Sequence, residues 1–292
     1  MTTAPALDRA ATRRLLAHRG PVETRALPEG RFNICWHLNA AGRSYLLKLN
    51  SREGEPHLQR VADAMSQAAV RGVAVPHVLD VGTDPVLGPY LLQEWLEGET
   101  FTNARRRGRI TPTVWTSLAQ QIARLHTPPV PGTATVTARR RRLAELLDEL
   151  LRYELLPPGL ASAARHRGDL LADQLGEHPL VPTHQDIHPD NILIQPDGTS
   201  ALLDFDHAAE AEDASDFVKL DRWCLPSAAE RRLLLHSYWR ERGLAADPLF
   251  EQRLAFHRLL TLLSYFLYWH THDAAQLPGC VTALHNELEP CS

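Results

Sequence analysis

Hydrophobic and polar positions follow two different periods along the chain, and the change between them predicts two structural regions. In the first, short apolar runs alternate with turns, and the turn Asn39-Ala40-Ala41-Gly42 between two such runs indicates a β-hairpin. This region predicts an α+β fold that ends near Gly98. Its predicted elements are helices over 8–19 and 56–70 and strands over 32–38, 44–49, 74–81 and 90–94.

Beyond residue 98 the apolar positions recur at helical spacing. Thr111 followed by Pro112 is an N-cap with proline at the first helical position. Ser227 and Glu230 form a capping box, and Gly243 is the stop signal of the same helix. The pattern therefore predicts a mostly helical region with helices over 112–125, 139–155, 228–242 and 248–272.

One segment, residues 182–209, interrupts the helical pattern. It reads PTHQDIHPDNILIQPDGTSALLDFDHAA and contains two short apolar runs, 192–195 and 201–203, across the turn 196–199. This arrangement predicts a hairpin that carries polar residues at its two outer ends.

Composition narrows the class of protein. The chain has 292 residues, 44% hydrophobic and 23% charged, with a net charge of −4, as in an ordinary globular protein with no nucleic-acid partner. Its four cysteines form no CxxC pair, which argues against a zinc site and favours a reduced, cytoplasmic location. The N-terminus has no apolar signal region, and the apolar stretch 259–269 is too short to span a membrane. We expect a soluble protein.

The polar residues of the hairpin segment suit phosphoryl transfer. This chemistry requires the phosphates and magnesium to be held and the attacking hydroxyl to be oriented. Asn191 and Asp204 flank the two strands and supply an amide oxygen and a carboxylate, ligands that magnesium accepts. Asp186, five positions before Asn191, is then free to accept the proton of a substrate hydroxyl.

This segment resembles the catalytic and metal-binding loops of the aminoglycoside phosphotransferase family, whose pattern is roughly H-G-D-L-H-x-x-N followed by two strands and I-D-[FW]-[DE]-x-A. The resemblance implies that Asp186 is the catalytic base and that Asn191 and Asp204 bind Mg²⁺. It also implies a structural role for His184, and it makes Asp216 a buried residue that braces the catalytic loop by accepting backbone hydrogen bonds.

Earlier parts of the chain are similar to the same family. Residues 30–33 resemble its phosphate-covering turn, and Lys48 stands where its third strand carries the lysine that binds ATP. Glu94 and Leu96 resemble the hinge whose main-chain groups meet adenine, and His126 resembles the end of a leucine-histidine helix. The implied cofactors are ATP and Mg²⁺, with GTP left open as the donor.

Three positions depart from the family pattern. Gln185 stands where the family usually has glycine, and Asp190 also replaces a common glycine. The acidic ion-pair partner of Lys48 is a glutamate in the family, whereas the corresponding position here is Asp63, with Glu55 as a competing candidate.

The resemblance implies a protein-kinase-like, two-lobed α+β fold. Its small N-terminal lobe, residues 1–96, would contain an antiparallel sheet and bind the nucleotide. The larger helical lobe, residues 97–292, would carry the catalytic and acceptor-binding groups. A protein kinase is disfavoured because no GxGxxG precedes Lys48 and no APE follows the metal loop.

The expected activity is ATP- and Mg²⁺-dependent phosphorylation of a hydroxyl on a small molecule. A metabolic kinase for choline, homoserine or a sugar is one alternative. A catalytically inactive kinase-like scaffold is another, disfavoured because Lys48, Asp186, Asn191 and Asp204 are all present. The oligomeric state is left open.

An acidic window predicts the charge of the acceptor. A cleft lined by one sign of charge attracts ligands of the other sign. We therefore expect a cationic acceptor, an aminoglycoside or a basic peptide such as viomycin or capreomycin, with Trp223, Tyr265 and Trp269 as possible cation–π partners. The acids of this window are Asp204, Asp206, Glu210, Glu212, Asp213, Asp216 and Asp221.

Overall fold

The structure is a computed structural model that describes residues 7–16, 22–27, 33–50 and 53–289. Within these ranges helices and strands alternate at first, and helices predominate later. In chain order the elements are α1 Arg9–Leu15, β1 Val22–Ala26, β2 Ile34–Ala40, β3 Arg43–Leu49, α2 Gly54–Val70, β4 Val78–Asp84, β5 Gly88–Glu94, β6 Glu99–Thr100, α3 Phe101–Arg106, α4 Pro112–Leu125, β7 Thr133–Ala134, α5 Val136–Arg152, α6 Pro158–Leu175, β8 His178–Pro179, β9 Val181–Thr183, β10 Ile192–Ile194, β11 Ser200–Leu202, β12 Ala209–Ala211, α7 Phe217–Trp223, α8 Ala228–Arg242, α9 Phe250–His272 and α10 Leu277–Leu288.

The chain forms two compact units, each built from two stretches of sequence. The first contains Met1–Leu125 and His188–Ala208, and the second contains His126–Ile187 and Ala209–Ser292. The expected division between residues 96 and 97 differs from this grouping, because α4 and the β10–β11 hairpin pack in the first unit.

The first unit is organised by an antiparallel five-stranded sheet in the order β1-β2-β3-β5-β4. The predicted hairpin is confirmed as β2–β3, and Ala41 and Gly42 form its turn with φ of 51° and 75°. Positive φ at both central residues matches the right-handed twist of the paired strands. The apolar side chains of these strands form a core that contains Trp36, Leu38, Tyr45, Leu47, Tyr90 and Leu92.

A smaller sheet, β11-β10-β6, completes the first unit and contains the second predicted hairpin. Ile192 pairs with Leu202, and the backbone N–H of Ser200 donates to Ser117 Oγ on α4 at 2.8 Å. Gly98 passes so close to β10 that a Cβ atom on it would lie 2.5 Å from the carbonyl oxygen of Ile194. Glycine is therefore required just before β6.

The second unit is mainly helical, with α5, α6, α9 and α10 packed around leucine side chains. The predicted helices over 139–155 and 248–272 are confirmed as α5 and α9, with small shifts at their ends. The capping box is also confirmed: Ser227 Oγ accepts the Glu230 N–H at 3.2 Å, and Gly243 ends α8 with φ of 66°. None of the helices in the described ranges is long and apolar enough to cross a membrane.

The sequence pattern missed α3, α6, α7 and α10. Helix α6 begins within Pro157-Pro158-Gly159, a combination typical of a turn. In the structure Pro158 is the first residue of the helix, where its missing N–H is harmless. Buried small side chains, among them Ala161, Ala164 and Ala172, then face the neighbouring helices.

A buried charge cluster connects the helices of the second unit. Arg139 on α5 donates two hydrogen bonds, of 2.8 and 2.7 Å, to Glu212. The side chains of Arg139 and Glu212 are each only 3% exposed. Asp213 is held by Arg242 at 2.7 Å and by Arg253 at 3.3 Å. We define the buried charge cluster as Arg139, Glu212, Asp213, Arg242 and Arg253.

The assignment of Glu212 and Asp213 to a charged surface at the mouth of the cleft was therefore wrong. Burial opposes ionisation of both acids, yet hydrogen bonds from His257 and Arg139 outweigh it and lower the pKa of Glu212 to about 2. Likewise a hydrogen bond from His178 and nearby positive charges hold the pKa of Asp213 well below its usual value. Both carboxylates are engaged inside the fold and leave Glu210 as the exposed acid of this stretch.

Replacement of Glu212 by Gln tests this cluster. We expect the free energy of unfolding to fall by about 3 kcal/mol or more at pH 7, because Arg139 is left as an uncompensated buried charge. The matched control is Glu145→Gln, which removes an exposed acid on the same helix as Arg139 and should change stability by less than about 0.5 kcal/mol. Equal effects of the two changes in urea unfolding would contradict the stabilising role.

The same pair has a pH signature. Folding lowers the pKa of Glu212 from its ordinary value of 4.5 to about 2, so its stabilisation is fully present above pH 4.5 and is lost as the pH falls towards 2. Urea unfolding across this window should show a flatter loss of stability in Glu212→Gln than in the unmodified chain.

Candidate functional site

In the first unit, Lys48 on β3 lies between two carboxylates. Its Nζ donates to Asp204 Oδ1 at 2.6 Å and also to Asp206 Oδ1. Burial disfavours the charged ammonium, but the charges of Asp204 and Asp206 outweigh it and raise the pKa of Lys48. Lysine therefore stays charged inside the fold, next to the segment predicted to bind the metal.

Asp206, one of the acids of the window that was expected to attract a cationic acceptor, contacts several other residues instead. Besides Lys48, it accepts a hydrogen bond of 2.6 Å from Asn33 Nδ2, and His57 Nε2 lies 3.9 Å from it. Asn33 is the last residue of the predicted phosphate-covering turn, whose residues 30–32 lie outside the described ranges.

The β10–β11 hairpin places the candidate metal ligands at its open end. Asn191 precedes β10, and its carbonyl oxygen accepts the Leu203 N–H at 2.9 Å, one residue before Asp204. Asp204 has φ of 62°, a left-handed conformation that aspartate tolerates better than most residues. Such a conformation at a charged residue is typical of functional sites.

The residues at this end fit a magnesium ion. Asn191 offers an amide oxygen, and Asp204 and Asp206 offer carboxylates, the hard oxygen donors that Mg²⁺ prefers. The described residues contain no group of three or more His, Cys, Asp or Glu side chains arranged to hold a metal alone. One or two carboxylates suffice for magnesium, which keeps several waters and takes further oxygens from phosphates.

The structure does not bring the expected acidic partners to Lys48. Asp63 is exposed and accepts a hydrogen bond of 2.9 Å from Gln59, one turn earlier on α2. Glu55 accepts a hydrogen bond from Thr83. Instead, the amino group of Lys48 contacts Asp204 and Asp206, which follow the β10–β11 hairpin.

The expected adenine-binding residues lie at the end of β5, which pairs with β3 in the five-stranded sheet. Glu94 is its last residue, and Leu96 lies two positions beyond. The Glu94 N–H donates to the His77 carbonyl at 2.9 Å, and the Trp95 N–H donates to Ser44 at 3.1 Å. Glu94 therefore has its N–H engaged within the sheet.

In the second unit, Asp216 holds the loop that contains the candidate base. Its Oδ2 accepts the His184 N–H at 2.9 Å, and its Oδ1 accepts the Gln185 N–H at 2.6 Å. His126 Nε2 lies 3.0 Å from the same carboxylate, and the side chains of His126, His184 and Asp216 are buried. The predicted brace by Asp216 is confirmed.

Gln185 shows why the family pattern has glycine at its position. Its φ is 63°, a conformation that glycine adopts without strain. Here glutamine holds it with two further hydrogen bonds, from Nε2 to Thr183 Oγ1 at 2.7 Å and to Ser215 Oγ at 2.6 Å. These bonds offset a backbone strain of about 1 kcal/mol or more.

The candidate base Asp186 contacts Lys219 of α7. Lys219 Nζ donates to Asp186 Oδ1, and the Asp186 N–H donates to His184 Nδ1 at 3.2 Å. The Asp186 side chain is 13% exposed. Its carboxylate is thus held by the amino group of Lys219, and its backbone N–H is held by the His184 ring.

Lys219 was missed, although two signals pointed to it. It stands three residues after Asp216, so a helix that begins there places both on neighbouring positions of one face. In addition, the sequence contains just two lysines among its 31 basic residues, and they are Lys48 and Lys219. Each contacts an aspartate predicted to take part in the chemistry.

Comparisons with known proteins find relatives in sequence and in structure. The family model described as "Phosphotransferase enzyme family" matches residues 23–253. Homoserine kinase of Nitrobacter hamburgensis is 27% identical over 278 residues, which cover 87% of this chain and 80% of that protein.

Solved structures share the fold at lower identity. A thermostable mutant of aminoglycoside phosphotransferase APH(4)-Ia, in a ternary complex with AMP-PNP and hygromycin B, superposes with a TM-score of 0.68 at 17% identity, covering 94% of this chain and 97% of that chain. Macrolide 2'-phosphotransferase MphH from Brachybacterium faecium gives a TM-score of 0.66 at 20% identity, covering 98% and 99%.

These likenesses confirm the predicted kinase-like α+β fold, with its antiparallel sheet near the N-terminus and its larger helical part. The family match covers well over half of the chain, and the relatives are kinases. The chain is a phosphotransferase and belongs to the phosphotransferase enzyme family.

Proposed function

We propose that this phosphotransferase moves the γ-phosphoryl group of ATP, with magnesium, onto a hydroxyl of a small molecule. The observation that carries the proposal is the contact of the buried Lys48 with Asp204 and Asp206, next to Asn191 at the end of the hairpin. A lysine beside carboxylates that follow such a hairpin suits the joint binding of phosphates and a divalent ion. GTP is the alternative donor.

Each residue then has a distinct role. Asn191 and Asp204 hold the ion, and Lys48 pairs with phosphate oxygens. Magnesium bound there supplies positive charge to the phosphates during transfer. Asp63 has no part in this proposal, because it is exposed on α2 and its carboxylate accepts from Gln59. Glu94 and Leu96 are proposed to bind adenine through their main chain.

Asp186 is proposed to orient the acceptor hydroxyl and take its proton. The carboxylate is held by Lys219, and the loop that carries it is braced by Asp216. A group held in this way loses little freedom when the acceptor binds, which favours transfer.

For the acceptor we propose a small metabolite. Support comes from the homoserine kinase relative, which aligns with 87% of this chain. The acidic window gives less support to a cationic acceptor than the sequence indicated, because two of its acids, Glu212 and Asp213, are buried and paired. A cationic antibiotic remains the second candidate, supported by the exposed Glu210. A panel of hydroxylated metabolites and antibiotics, assayed for ADP release with phosphorylated product identified by mass, separates the two.

Asp204→Asn tests the metal site. We expect phosphoryl transfer to fall by roughly 100-fold or more, because the variant loses a charged ligand of the ion. Asp197→Asn is the matched control, since Asp197 lies exposed in the turn of the same hairpin, and it should keep its activity within a few-fold. Comparable activity of Asp204→Asn and the control would remove Asp204 from the metal site.

Asp186→Asn tests the base. Turnover should fall by roughly 10²- to 10⁴-fold, while nucleotide affinity in calorimetry stays nearly unchanged. Asp190→Asn, four residues along the same loop and exposed, is the control and should lose little activity. A collapse of nucleotide affinity in Asp186→Asn would instead make Asp186 a nucleotide-binding residue.

Lys48→Ala tests the phosphate contact. ATP should bind roughly tenfold more weakly, while adenosine binds nearly as before, because the lost partner is the phosphate chain. Arg43→Ala removes an exposed cation from the same strand and serves as the control. If calorimetry shows equal weakening of ATP and adenosine, Lys48 has a structural role.

A further inference from the structure

In the first unit, helix α2 presents a histidine, in place of the expected acid, to the carboxylates around Lys48. His57 lies in the first turn of α2, and its Nε2 is 3.9 Å from Asp206 Oδ1, the atom that also accepts from Lys48. The His57 side chain is only 9% exposed. The two acids expected in this role, Asp63 and Glu55, are engaged elsewhere. The buried polar group that α2 contributes near Lys48 is therefore an imidazole.

The Nε2 atom of this imidazole is a buried donor without a hydrogen bond. Arg60 Nη2 lies 3.4 Å from Nδ1 of the ring, and because a guanidinium can only donate, Nδ1 accepts. The proton of the neutral ring is then on Nε2, and a charged ring has a proton there as well. Glu53 Oε2 lies 3.1 Å from Nε2 but off its hydrogen-bonding direction, and Nε2 has no hydrogen-bond partner among the described residues. A buried donor in this state is costly and is normally satisfied.

Asp206 is the acceptor near this donor, and one of its oxygens has capacity for it. Asp206 Oδ2 accepts from Asn33 Nδ2 at 2.6 Å, while Oδ1 accepts from Lys48. A carboxylate oxygen has two lone pairs, so Oδ1 can accept from a second donor. A shift of about 1 Å in the His57 ring would shorten the 3.9 Å separation to a hydrogen bond.

The local charge explains why a histidine suits this position better than an acid. Lys48 supplies one positive charge, and Asp204 and Asp206 supply two negative charges at its amino group. A third carboxylate in contact with the largely buried Asp206 would add a like charge, which is costly away from water. Glu53, next to the ring, is 56% exposed, so water screens its charge. An N–H donor holds the carboxylate and adds no negative charge.

We propose that His57 is a positioning residue for nucleotide binding: its Nε2–H donates to Asp206, and Asp206 in turn orients Lys48 towards the phosphates. The inference rests on the proposed function, in which Asp204 holds the ion and Lys48 pairs with phosphate oxygens. Asp206 is then the carboxylate left to orient the lysine. Donors from Lys48, Asn33 and His57 fix Asp206, and a lysine held in place before the nucleotide arrives binds it at a lower entropic cost.

Calorimetry of ATP binding tests the proposal without an acceptor. In the full-length chain with magnesium, His57→Leu removes the donor and should weaken ATP binding roughly fivefold, while adenosine binds as before. Asp63→Asn is the matched control on the same helix, because Asp63 is exposed, and it should leave the affinity for ATP unchanged. Weaker ATP binding in Asp63→Asn but not in His57→Leu would overturn the proposal in favour of the acid of the family pattern.

A pair of amide variants separates the donor from the bulk of the side chain. The amide nitrogen of glutamine can take the place of Nε2, whereas that of asparagine is too short to reach Asp206. His57→Gln should therefore recover most of the affinity for ATP that His57→Asn loses. Equal affinities of these two variants would overturn the proposal, and the comparison holds even where His57→Leu fails to fold.

A double-mutant cycle tests whether His57 acts through Asp206. In the Asp206→Ala background, His57→Leu should have little further effect on the affinity for ATP, because the carboxylate that connects it to Lys48 is gone. Effects of the two changes that multiply independently would overturn the proposal.

The unmodified chain and Lys48→Ala separate this inference from the proposed function. Absence of ATP binding in the unmodified chain would overturn both. ATP binding that is weakened by Lys48→Ala and is insensitive to His57→Leu would overturn the role of His57 and leave the phosphate contact of Lys48 standing.

Discussion

The buried carboxylate of Asp216 holds the loop that carries Asp186, the proposed base. It accepts two backbone N–H groups of the loop before Asp186 and contacts His126. Asp216 also immediately precedes α7, the helix that carries Lys219. One residue therefore holds the loop and stands at the start of the helix. His126 extends the contact to Tyr238 at 2.8 Å, and Tyr238 contacts Asp213 at 3.2 Å. The loop is thereby connected to the buried charge cluster.

Such a network is stable only when it is complete. Charged groups taken out of water lose several kcal/mol of solvation each, and well-oriented partners must replace the water. Glu212 and Asp213, adjacent in sequence, meet this requirement through arginines from three different helices. The arginines lie on α5, α8 and α9. The folding of these helices is therefore coupled to residues 212–216, the short stretch of chain that ends with Asp216.

The sequence predicted features whose causes are local. The β2–β3 and β10–β11 hairpins follow from their turn residues, and α8 follows from its caps, so each could be read from a few neighbouring positions. The hairpin spacing also placed Asn191 near Asp204, and the family resemblance identified Asp216 as the brace. The partners of charged residues could not be predicted in this way. Glu212 and Arg139 are 73 positions apart, and an acid-rich stretch looks the same in sequence whether water or arginine surrounds it. The same limit applies to Lys48, whose observed partners lie more than 150 positions away.

The two lysines of this enzyme can be labelled selectively. All other basic side chains are arginines or histidines, and the ε-amines of Lys48 and Lys219 belong one to each unit. Reductive methylation with ¹³C-formaldehyde modifies amines and spares guanidinium groups, so the labelled chain would show two side-chain methyl resonances besides that of the N-terminus. One resonance would report on Asp204 and Asp206 around Lys48, and the other on Asp186 beside Lys219. Because each unit contains one lysine, each would give a separate spectroscopic signal that reports on the charges around that lysine.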